Sequence, residues 1–287
     1  MPSLTGQHAL AAARALGLAR LDAQLLLLHA LGKPASARAW LLAHDTDALP
    51  PDAAEAFSAL SRRRAAGEPL AYLVGAQEFF GLALQVDARV LVPRADTETL
   101  VEWSLAQLQA VPAGPAPPQA LRVLDLGTGS GAVALAIAHG LQAVGRPAHV
   151  TAVDASLDAL AVARGNAERL GLAPTFVQSD WLAQVEGTFH LIASNPPYIA
   201  NGDPHLPALK HEPLQALTAG ADGLDDLRRI TREAPGHLLP GAWLLLEHGH
   251  DQAGPVRELL AARGFAQVQS RRDLAGIERC SGGQWPG

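Results

Sequence analysis

From residue 121 onward, short apolar segments of strand-like composition alternate with segments of helical periodicity. Strands are predicted at 121–126 and 150–154, and each is followed by a helix, at 132–141 and 157–170. Further strands are predicted at 175–178, 189–193, 243–247 and 266–270. This alternation predicts a mostly parallel sheet covered by helices on both faces. Ligands of such sheets bind at the carboxyl ends of the strands, which is where the motifs described below fall.

The first 74 residues have the pattern of a helical domain. Leu21, Leu25 and Leu28 recur at helical spacing, and Pro51 opens a second helix. After this domain, the segments 79–86 and 90–92 are predicted to form two short strands that turn near residue 87. The proline-rich run 112–118 is predicted to be a loop that precedes the first strand of the sheet.

A glycine-rich turn joins the first predicted strand to its helix. Residues 123–131 read Val-Leu-Asp-Leu-Gly-Thr-Gly-Ser-Gly, and the glycines permit a tight turn and a close approach of the backbone to a ligand. Asp154 ends the next strand, the usual position of a carboxylate that binds ribose hydroxyls. On spacing alone the turn also fits a loose dinucleotide fingerprint, because Ala132 can serve as the third small residue.

Asp125 discriminates between these cofactors. A carboxylate two residues before the first glycine would repel a pyrophosphate, whereas it would attract the ammonium group of S-adenosylmethionine. The sequence therefore favours S-adenosylmethionine over a nicotinamide or flavin cofactor, and a turn without any ligand remains a further alternative. The cofactor-binding residues predicted from this segment are Asp125, Gly127, Gly129, Gly131 and Asp154.

The predicted strand at 189–193 leads into Asn195-Pro196-Pro197-Tyr198. The two prolines remove two backbone donors and fix two φ angles, so they stiffen this edge of the sheet. It would present the Asn195 side-chain oxygen, the Pro196 carbonyl and the Tyr198 ring. Two acceptors can orient a planar NH2 group for methylation, and the ring can stack on it. The alternative is an Asn-Pro-Pro turn with an exposed tyrosine.

Composition and charge exclude several classes of protein. Residues 1–74 carry seven Lys and Arg against six Asp and Glu, a net charge of +1, and residues 75–287 carry fifteen against twenty-two, a net charge of −7. This acidic part counts against a nucleic-acid enzyme. The single cysteine, Cys280, excludes an internal disulfide and a multi-cysteine zinc site, and no metal site is predicted. With no membrane-length apolar run and no secretion signal, a cytoplasmic location is expected.

Several further segments resemble one family. Residues 90–98, Val-Leu-Val-Pro-Arg-Ala-Asp-Thr-Glu, resemble the signature of the HemK/PrmC family of peptide chain release factor N(5)-glutamine methyltransferases. The Asp-Thr-Glu form favours the release-factor enzymes over their ribosomal-protein glutamine paralogues, although Ala95 replaces the family's usual proline. Other stretches that resemble family blocks are 67–75, 78–79, 211–217, 247–249 and 276–279.

The resemblance implies a class I S-adenosylmethionine-dependent methyltransferase fold, an α/β fold that is Rossmann-like with a mostly parallel seven-stranded sheet. It implies a helical substrate-recognition domain at 1–74, a β-hairpin linker at 75–95 and the methyltransferase domain at 96–287. The implied reaction converts the glutamine of the Gly-Gly-Gln motif of class 1 release factors to N5-methylglutamine, with no stable nucleic-acid partner and no membrane.

The resemblance also implies residue roles by position. The cofactor would be bound by Gly127, Thr128, Gly129, Ser130, Gly131 and Asp154. Trp181 would pack beside the adenine of the cofactor, which Asn195 would also contact. Asn195, Pro196, Pro197 and Tyr198 would hold the substrate glutamine, with Asn195, Pro196 and Tyr198 as the catalytic residues. The roles of Arg94, Asp96 and Glu98 are left open.

Three alternatives remain at this point: a nucleic-acid adenine or guanine amino-methyltransferase, a ribosomal-protein glutamine methyltransferase, and a cofactor-sensing binding module. Two features also keep competing interpretations. His248 is expected to be structural rather than a general base. The segment Gly282-Gly283-Gln284 copies the implied substrate motif, which is expected to be a coincidence rather than a site of self-methylation.

Overall fold

In the computed structural model, which describes residues 4–112 and 119–287, the chain divides into two units, Met1–Ala76 and Gln77–Gly287. Of the predicted proline-rich loop, residues 113–118 lie outside the described part of the chain. The helices of the first unit are α1 (Gly6–Ala15), α2 (Arg20–Ala30), α3 (Arg38–Ala43), α4 (Pro51–Ala65) and α5 (Leu70–Val74).

The two helices predicted in the first unit are confirmed as α2 and α4. Helix α4 begins at Pro51, whose missing N–H is not needed in the first turn. Leu26, Leu27 and Leu28 of α2 are fully buried, whereas Leu21 is 48% exposed. The helical periodicity was therefore read correctly, but the face that packs into the core is rotated away from Leu21.

A two-stranded sheet follows, formed by β1 (Ala76–Phe79) and β2 (Leu82–Gln85). Its turn consists of Phe80 and Gly81, which have φ values of +51° and +77°. Two consecutive left-handed residues give the backbone twist that a two-residue hairpin needs. The predicted turn near residue 87 is present, because the backbone N–H of Val90 donates to the carbonyl of Asp87 at 3.1 Å. It does not join two strands, because the hairpin closes earlier and residues 90–92, where the second strand was predicted, form neither strand nor helix.

The second unit contains a seven-stranded sheet of order β5-β4-β3-β6-β7-β9-β8. The first five strands in this order are mutually parallel, and β9 is antiparallel to both β7 and β8. The predicted mostly parallel sheet is thus confirmed. In chain order the elements are α6 (Glu98–Ala110), β3 (Leu121–Leu126), α7 (Ala132–Ala143), β4 (Ala148–Asp154), α8 (Leu157–Leu170), β5 (Thr175–Gln178), β6 (Phe189–Ser194), α9 (Asp225–Glu233), β7 (Leu238–Glu247), α10 (Ala253–Arg263), β8 (Ala266–Arg272) and β9 (Glu278–Gln284).

Alternate residues of the central strands enter two separate cores. Val123 of β3 packs with Trp103 of α6 and Leu135 of α7 on one face. The next residue, Leu124, packs with Ile230 of α9 on the other face. Successive side chains of a strand point to opposite faces, so both faces of this sheet are buried under helices.

Strand β9 was not predicted, because its glycines are uncommon inside strands. It contains Gly282 and Gly283, which lie where neighbouring side chains leave no room. A Cβ atom on Gly282 would come within 2.4 Å of Leu245 Cδ2, and one on Gly283 within 2.8 Å of Phe265 Cβ. The glycines of this strand are therefore required by close packing.

Candidate active site

A cavity of about 460 Å³ opens at the carboxyl ends of β3, β4 and β6. The glycine-rich turn, Asp154 at the end of β4 and the Asn-Pro-Pro-Tyr segment all contribute residues to its wall. The twelve predicted site residues divide equally between the wall of this cavity and the structure behind it. Those on the wall are Gly127, Gly129, Asp154, Trp181, Asn195 and Pro197, and those behind it are Asp125, Thr128, Ser130, Gly131, Pro196 and Tyr198.

The glycine-rich turn is fixed to the end of β4 by two hydrogen bonds. The backbone N–H of Thr128 donates to the carbonyl of Val153 at 2.8 Å, and that of Gly129 donates to Asp154 Oδ2 at 2.9 Å. Asp154 Oδ1 accepts the backbone N–H of Ser156 at 2.9 Å. Both carboxylate oxygens are thereby held in place at the cavity wall, and each keeps a lone pair for a ligand hydroxyl.

Asp125 lies beneath the turn and is only 1% exposed. Its Oδ2 atom accepts the Thr128 hydroxyl at 2.6 Å and the backbone N–H of Ala134 at 3.2 Å. Burial raises the pKa of this carboxyl to about 7, and those hydrogen bonds oppose the rise. Asp125 thus links the turn, through Thr128, to the backbone N–H of Ala134 in the first turn of α7, where N–H groups lack helical partners. Its predicted attraction for an ammonium group stays a prediction.

Trp181 forms a flat part of the cavity wall. Its backbone is left-handed, with φ +52°, and its indole N–H donates to Asp226 Oδ1 at 3.0 Å. A Cβ atom on Gly127 would lie 3.3 Å from the Trp181 ring, so the backbone there approaches the ring closely because it has no side chain. The sequence did not reveal Asp226, which lies 45 residues further along the chain.

The Asn195–Tyr198 segment leaves the end of β6. The Nδ2 group of Asn195 donates to Thr97 Oγ1 at 3.2 Å, so the amide has a defined orientation. Pro196 is buried, and only Asn195 and Pro197 of the four line the cavity. The Tyr198 ring packs against the core that contains Leu124 and Ile230, and it lies near Glu247. Burial raises the pKa of its hydroxyl. Its predicted stacking on a substrate stays a prediction.

Three charged residues whose roles the sequence left open each have a partner. Arg94 forms an ion pair with Glu212, whose other oxygen accepts the Val92 backbone N–H at 3.1 Å. Asp96 lies 3.3 Å from Arg279. These contacts join segments that resemble separate family blocks, 90–98, 211–217 and 276–279. A further contact is that Glu98 Oε1 accepts the backbone N–H of Phe80 at 3.0 Å.

His248 is completely buried away from the cavity wall. Its Nδ1 atom lies 2.9 Å from the carbonyl oxygen of Gly249, and its Nε2 atom lies 2.8 Å from Ser281 Oγ. Burial lowers the pKa of the imidazole. With both ring nitrogens engaged, the geometry supports the structural interpretation.

The Gly282-Gly283-Gln284 segment is part of β9 and is held in the sheet. Gln284 Nε2 donates to the carbonyl of Gly241 at 2.9 Å, and Gln284 Oε1 accepts from Gln267 at 2.6 Å. The amide nitrogen that self-methylation would need is therefore bound within the sheet, which supports coincidence.

Residues 4–112 and 119–287 contain neither a candidate metal site nor a candidate membrane-spanning helix. No group of three or more His, Cys, Asp or Glu side chains in these ranges is arranged to hold a metal ion. None of the helices in the same ranges combines the length and apolar composition that a membrane span requires.

Residues 5–75 match the family model of the PrmC N-terminal domain, and residues 108–216 match that of the methyltransferase small domain. The release factor glutamine methyltransferase of Bordetella pertussis is 51% identical over 271 residues, which cover 93% of this chain and 95% of that protein. This chain belongs to the release factor glutamine methyltransferase family. The Pseudomonas aeruginosa member is 49% identical over 272 residues, which cover 93% of each chain.

The predicted HemK/PrmC membership is thereby confirmed, and the fold is the class I S-adenosylmethionine methyltransferase fold. A solved methyltransferase from Pyrococcus furiosus superposes with a TM-score of 0.51 at 22% identity, covering 72% of this chain and 90% of that one. At that identity the likeness supports the fold alone.

Proposed function

We propose that this protein transfers a methyl group from S-adenosylmethionine to the side-chain amide nitrogen of the glutamine in the Gly-Gly-Gln motif of class 1 peptide chain release factors. The product is N5-methylglutamine. The observation that carries the proposal is the placement of Asn195, with its amide oriented by Thr97, on the same cavity wall as Asp154 and Trp181. Family membership supplies the substrate class.

The cavity fits the cofactor. About 460 Å³ lies within the usual range for small-molecule sites, roughly 300–1,000 Å³. Asp154 would accept the ribose hydroxyls, Trp181 would cover the adenine, and the backbone of Gly127 and Gly129 would lie against the ligand. When bound, the cofactor supplies a methyl group that is electrophilic because it is attached to a sulfonium.

The protein's part in the reaction is orientation. Asn195 Oδ1 and the Pro196 carbonyl would accept the two N–H groups of the substrate amide and aim its nitrogen at the methyl carbon. With the nitrogen so aligned, it would gain the methyl group as the sulfur keeps the electron pair of the broken S–C bond, and it would then lose one proton to solvent. Both acceptors stabilise the positive charge that develops on the NH2 group. An amide is a weak nucleophile, so alignment supplies most of the rate enhancement.

The proposal also assigns a role to each part of the chain. Residues 1–74 would recognise the protein substrate, 75–95 would form a linker that includes the β1–β2 hairpin, and 96–287 would carry the methyltransferase site. The separation into units Met1–Ala76 and Gln77–Gly287 supports this division. The proposed substrate assigns the reaction to the cytoplasm, where translation terminates.

The substrate is tested by offering three acceptors in parallel. Purified protein and radiolabelled S-adenosylmethionine are incubated with an unmethylated release factor, a ribosomal protein or DNA. Label is expected in the release factor, and not in a release factor whose Gly-Gly-Gln glutamine is replaced by alanine. Label confined to ribosomal protein or DNA would overturn the proposal, and cofactor binding without any transfer would favour the binding module.

A further inference from the structure

The hydroxyl group of Thr97 is the partner that orients Asn195. Thr97 is 3% exposed, and its Oγ1 atom accepts Nδ2–H of Asn195 at 3.2 Å. An amide has a donor end and an acceptor end. When Nδ2 is bound to Thr97, the acceptor Oδ1 is the end left for the cavity that Asn195 lines.

The Thr97 hydroxyl also has a proton of its own, and the carboxyl of Glu247, which the Tyr198 hydroxyl also neighbours, is an acceptor close to it. Glu247 is 1% exposed, and its Oε2 atom is buried without a hydrogen-bond partner among the described residues. A buried carboxyl with unused acceptor capacity attracts nearby donors. Burial raises the pKa of Glu247, and the neighbouring hydroxyl groups of Thr97 and Tyr198 oppose the rise.

The segment that holds Thr97 is fixed at several points. Thr97 ends a short 3-10 helix, and its backbone N–H donates to the carbonyl of Arg94 at 3.1 Å. The ion pairs of Arg94 with Glu212 and of Asp96 with Arg279 hold the residues before it. Thr97 therefore has a rigid base from which to position another side chain.

We infer that Thr97 is a positioning residue that keeps Asn195 Oδ1, rather than Nδ2, turned toward the substrate amide. This inference rests on the proposed function, because the orientation matters only when the substrate presents N–H donors. A flipped Asn195 would place its own NH2 against the substrate NH2, donor against donor. The side chain would then oppose the charge that develops during methyl transfer instead of stabilising it.

The decisive experiment is a double-mutant cycle between Thr97→Val and Asn195→Ala, read as kcat on the release factor. Valine keeps the shape of threonine but has no hydroxyl. Thr97→Val is expected to lower kcat about tenfold to a hundredfold, the cost of a misplaced catalytic group. The cofactor dissociation constant should stay within about twofold. In the Asn195→Ala background, Thr97→Val should change kcat very little.

Two further variants separate positioning from general damage. Thr97→Ser keeps the hydroxyl and should retain kcat within about threefold. Thr231→Val is the matched control, because Thr231 is 2% exposed and its hydroxyl makes no hydrogen bond to a described residue. Its kcat should equal that of the unmodified protein.

The orientation can also be read without any substrate. In a nitrogen-15 NMR spectrum, the Asn195 NH2 signal is identified by its loss in Asn195→Ala. Its hydrogen exchange should be slow in the unmodified protein and in Thr97→Ser, and fast in Thr97→Val. Equal exchange in all three, or equal kcat losses from Thr97→Val in both backgrounds, would overturn the inference. Failure to methylate a release factor would overturn only the proposed function, because the exchange measurement still decides the orientation.

Discussion

The Oδ2 atom of Asp154 accepts the backbone N–H of Gly129 at 2.9 Å, and this bond joins the two sequence motifs that predict a cofactor site. The glycine-rich turn after β3 and the acid at the end of β4 are therefore parts of one structure. Gly129 lines the cavity, and nothing lies within 4 Å of the position that a Cβ atom would take there. The bond fixes the carboxylate that is proposed to bind the ribose.

Replacing Asp154 should weaken cofactor binding. Asp154→Ala removes both acceptors and is expected to raise the dissociation constant of S-adenosylmethionine about tenfold to a hundredfold, since hydrogen bonds to charged groups contribute roughly 1.5–3 kcal/mol. Isothermal titration calorimetry measures this directly. The control is Asp158→Asn, an exposed acid on α8 that does not line the cavity. If Asp154→Ala and Asp158→Asn bound S-adenosylmethionine equally well, the assignment of Asp154 to the ribose would be contradicted.

The indole ring of Trp181 should contribute to affinity through its face. Stacking of an aromatic ring on a base contributes about 1–3 kcal/mol by alanine substitution, so Trp181→Ala should weaken cofactor binding about tenfold or more. Trp181→Phe retains a smaller ring, and its affinity for the cofactor should lie between that of the unmodified protein and that of Trp181→Ala. Calorimetry with S-adenosylmethionine and with methionine, which has no adenine, shows whether the loss of affinity comes from the adenine end of the cofactor. If methionine binding fell as much as cofactor binding, the ring would not be acting on the adenine.

The buried Glu247 should make stability depend on pH. Burial raises its pKa in the folded protein to about 7, above the ordinary value of 4.5. Below pH 4.5 the carboxyl is protonated in both states. Between pH 4.5 and 7 only the unfolded state ionises, so the folded protein loses stability as the pH rises.

Glu247→Gln cannot ionise and avoids this loss. We therefore compare the free energy of unfolding of Glu247→Gln with that of the unmodified protein. The value for Glu247→Gln minus the value for the unmodified protein should increase from pH 5 to pH 8, by about 3 kcal/mol at most. Urea denaturation at the two pH values measures the difference. The shifted pKa of Asp125 is present in both proteins and cancels. A difference that stayed the same at both pH values would show that the pKa of Glu247 is not raised.

The last glycine of the turn should tolerate no side chain. Gly131 has φ +85°, and a Cβ atom there would lie 2.9 Å from Leu135 Cδ1 and 3.2 Å from Ala163 Cβ. Gly131→Ala should lower the free energy of unfolding by about 1–3 kcal/mol. Gly165→Ala is the matched control, because Gly165 lies inside α8 with nothing within 4 Å of its Cβ position, and it should stabilise by up to about 1 kcal/mol. Thermal unfolding of both variants checks the contrast.

The sequence predicted the elements whose signals are local. The β3-turn-α7-β4 unit was recognised because its strands are buried and its glycines and Asp154 have fixed spacing. Strand β9 was missed, because Gly282 and Gly283 are selected by packing against residues distant in the chain. The early hairpin turn was missed because it places Phe80, rather than a typical turn residue, at positive φ.

The site was predicted less completely than the fold, for a related reason. Glycine and acid motifs report backbone geometry, whereas side-chain partners are set by tertiary packing. The contact between Thr97 and Asn195 joins residues 98 apart in sequence, and no local pattern indicates it. Likewise, only the structure shows Asp125 behind the turn and Tyr198 away from the cavity wall.

The central claim is that Asn195 directs methyl transfer to the glutamine of Gly-Gly-Gln. The most direct measurement incubates the protein with S-adenosylmethionine and an unmethylated release factor, and then fragments the Gly-Gly-Gln peptide in a mass spectrometer. We expect a gain of one methyl group located on the glutamine side chain, and a much slower gain with Asn195→Ala although the cofactor still binds. A methyl group on any other residue, or unchanged methylation by Asn195→Ala, would contradict the account.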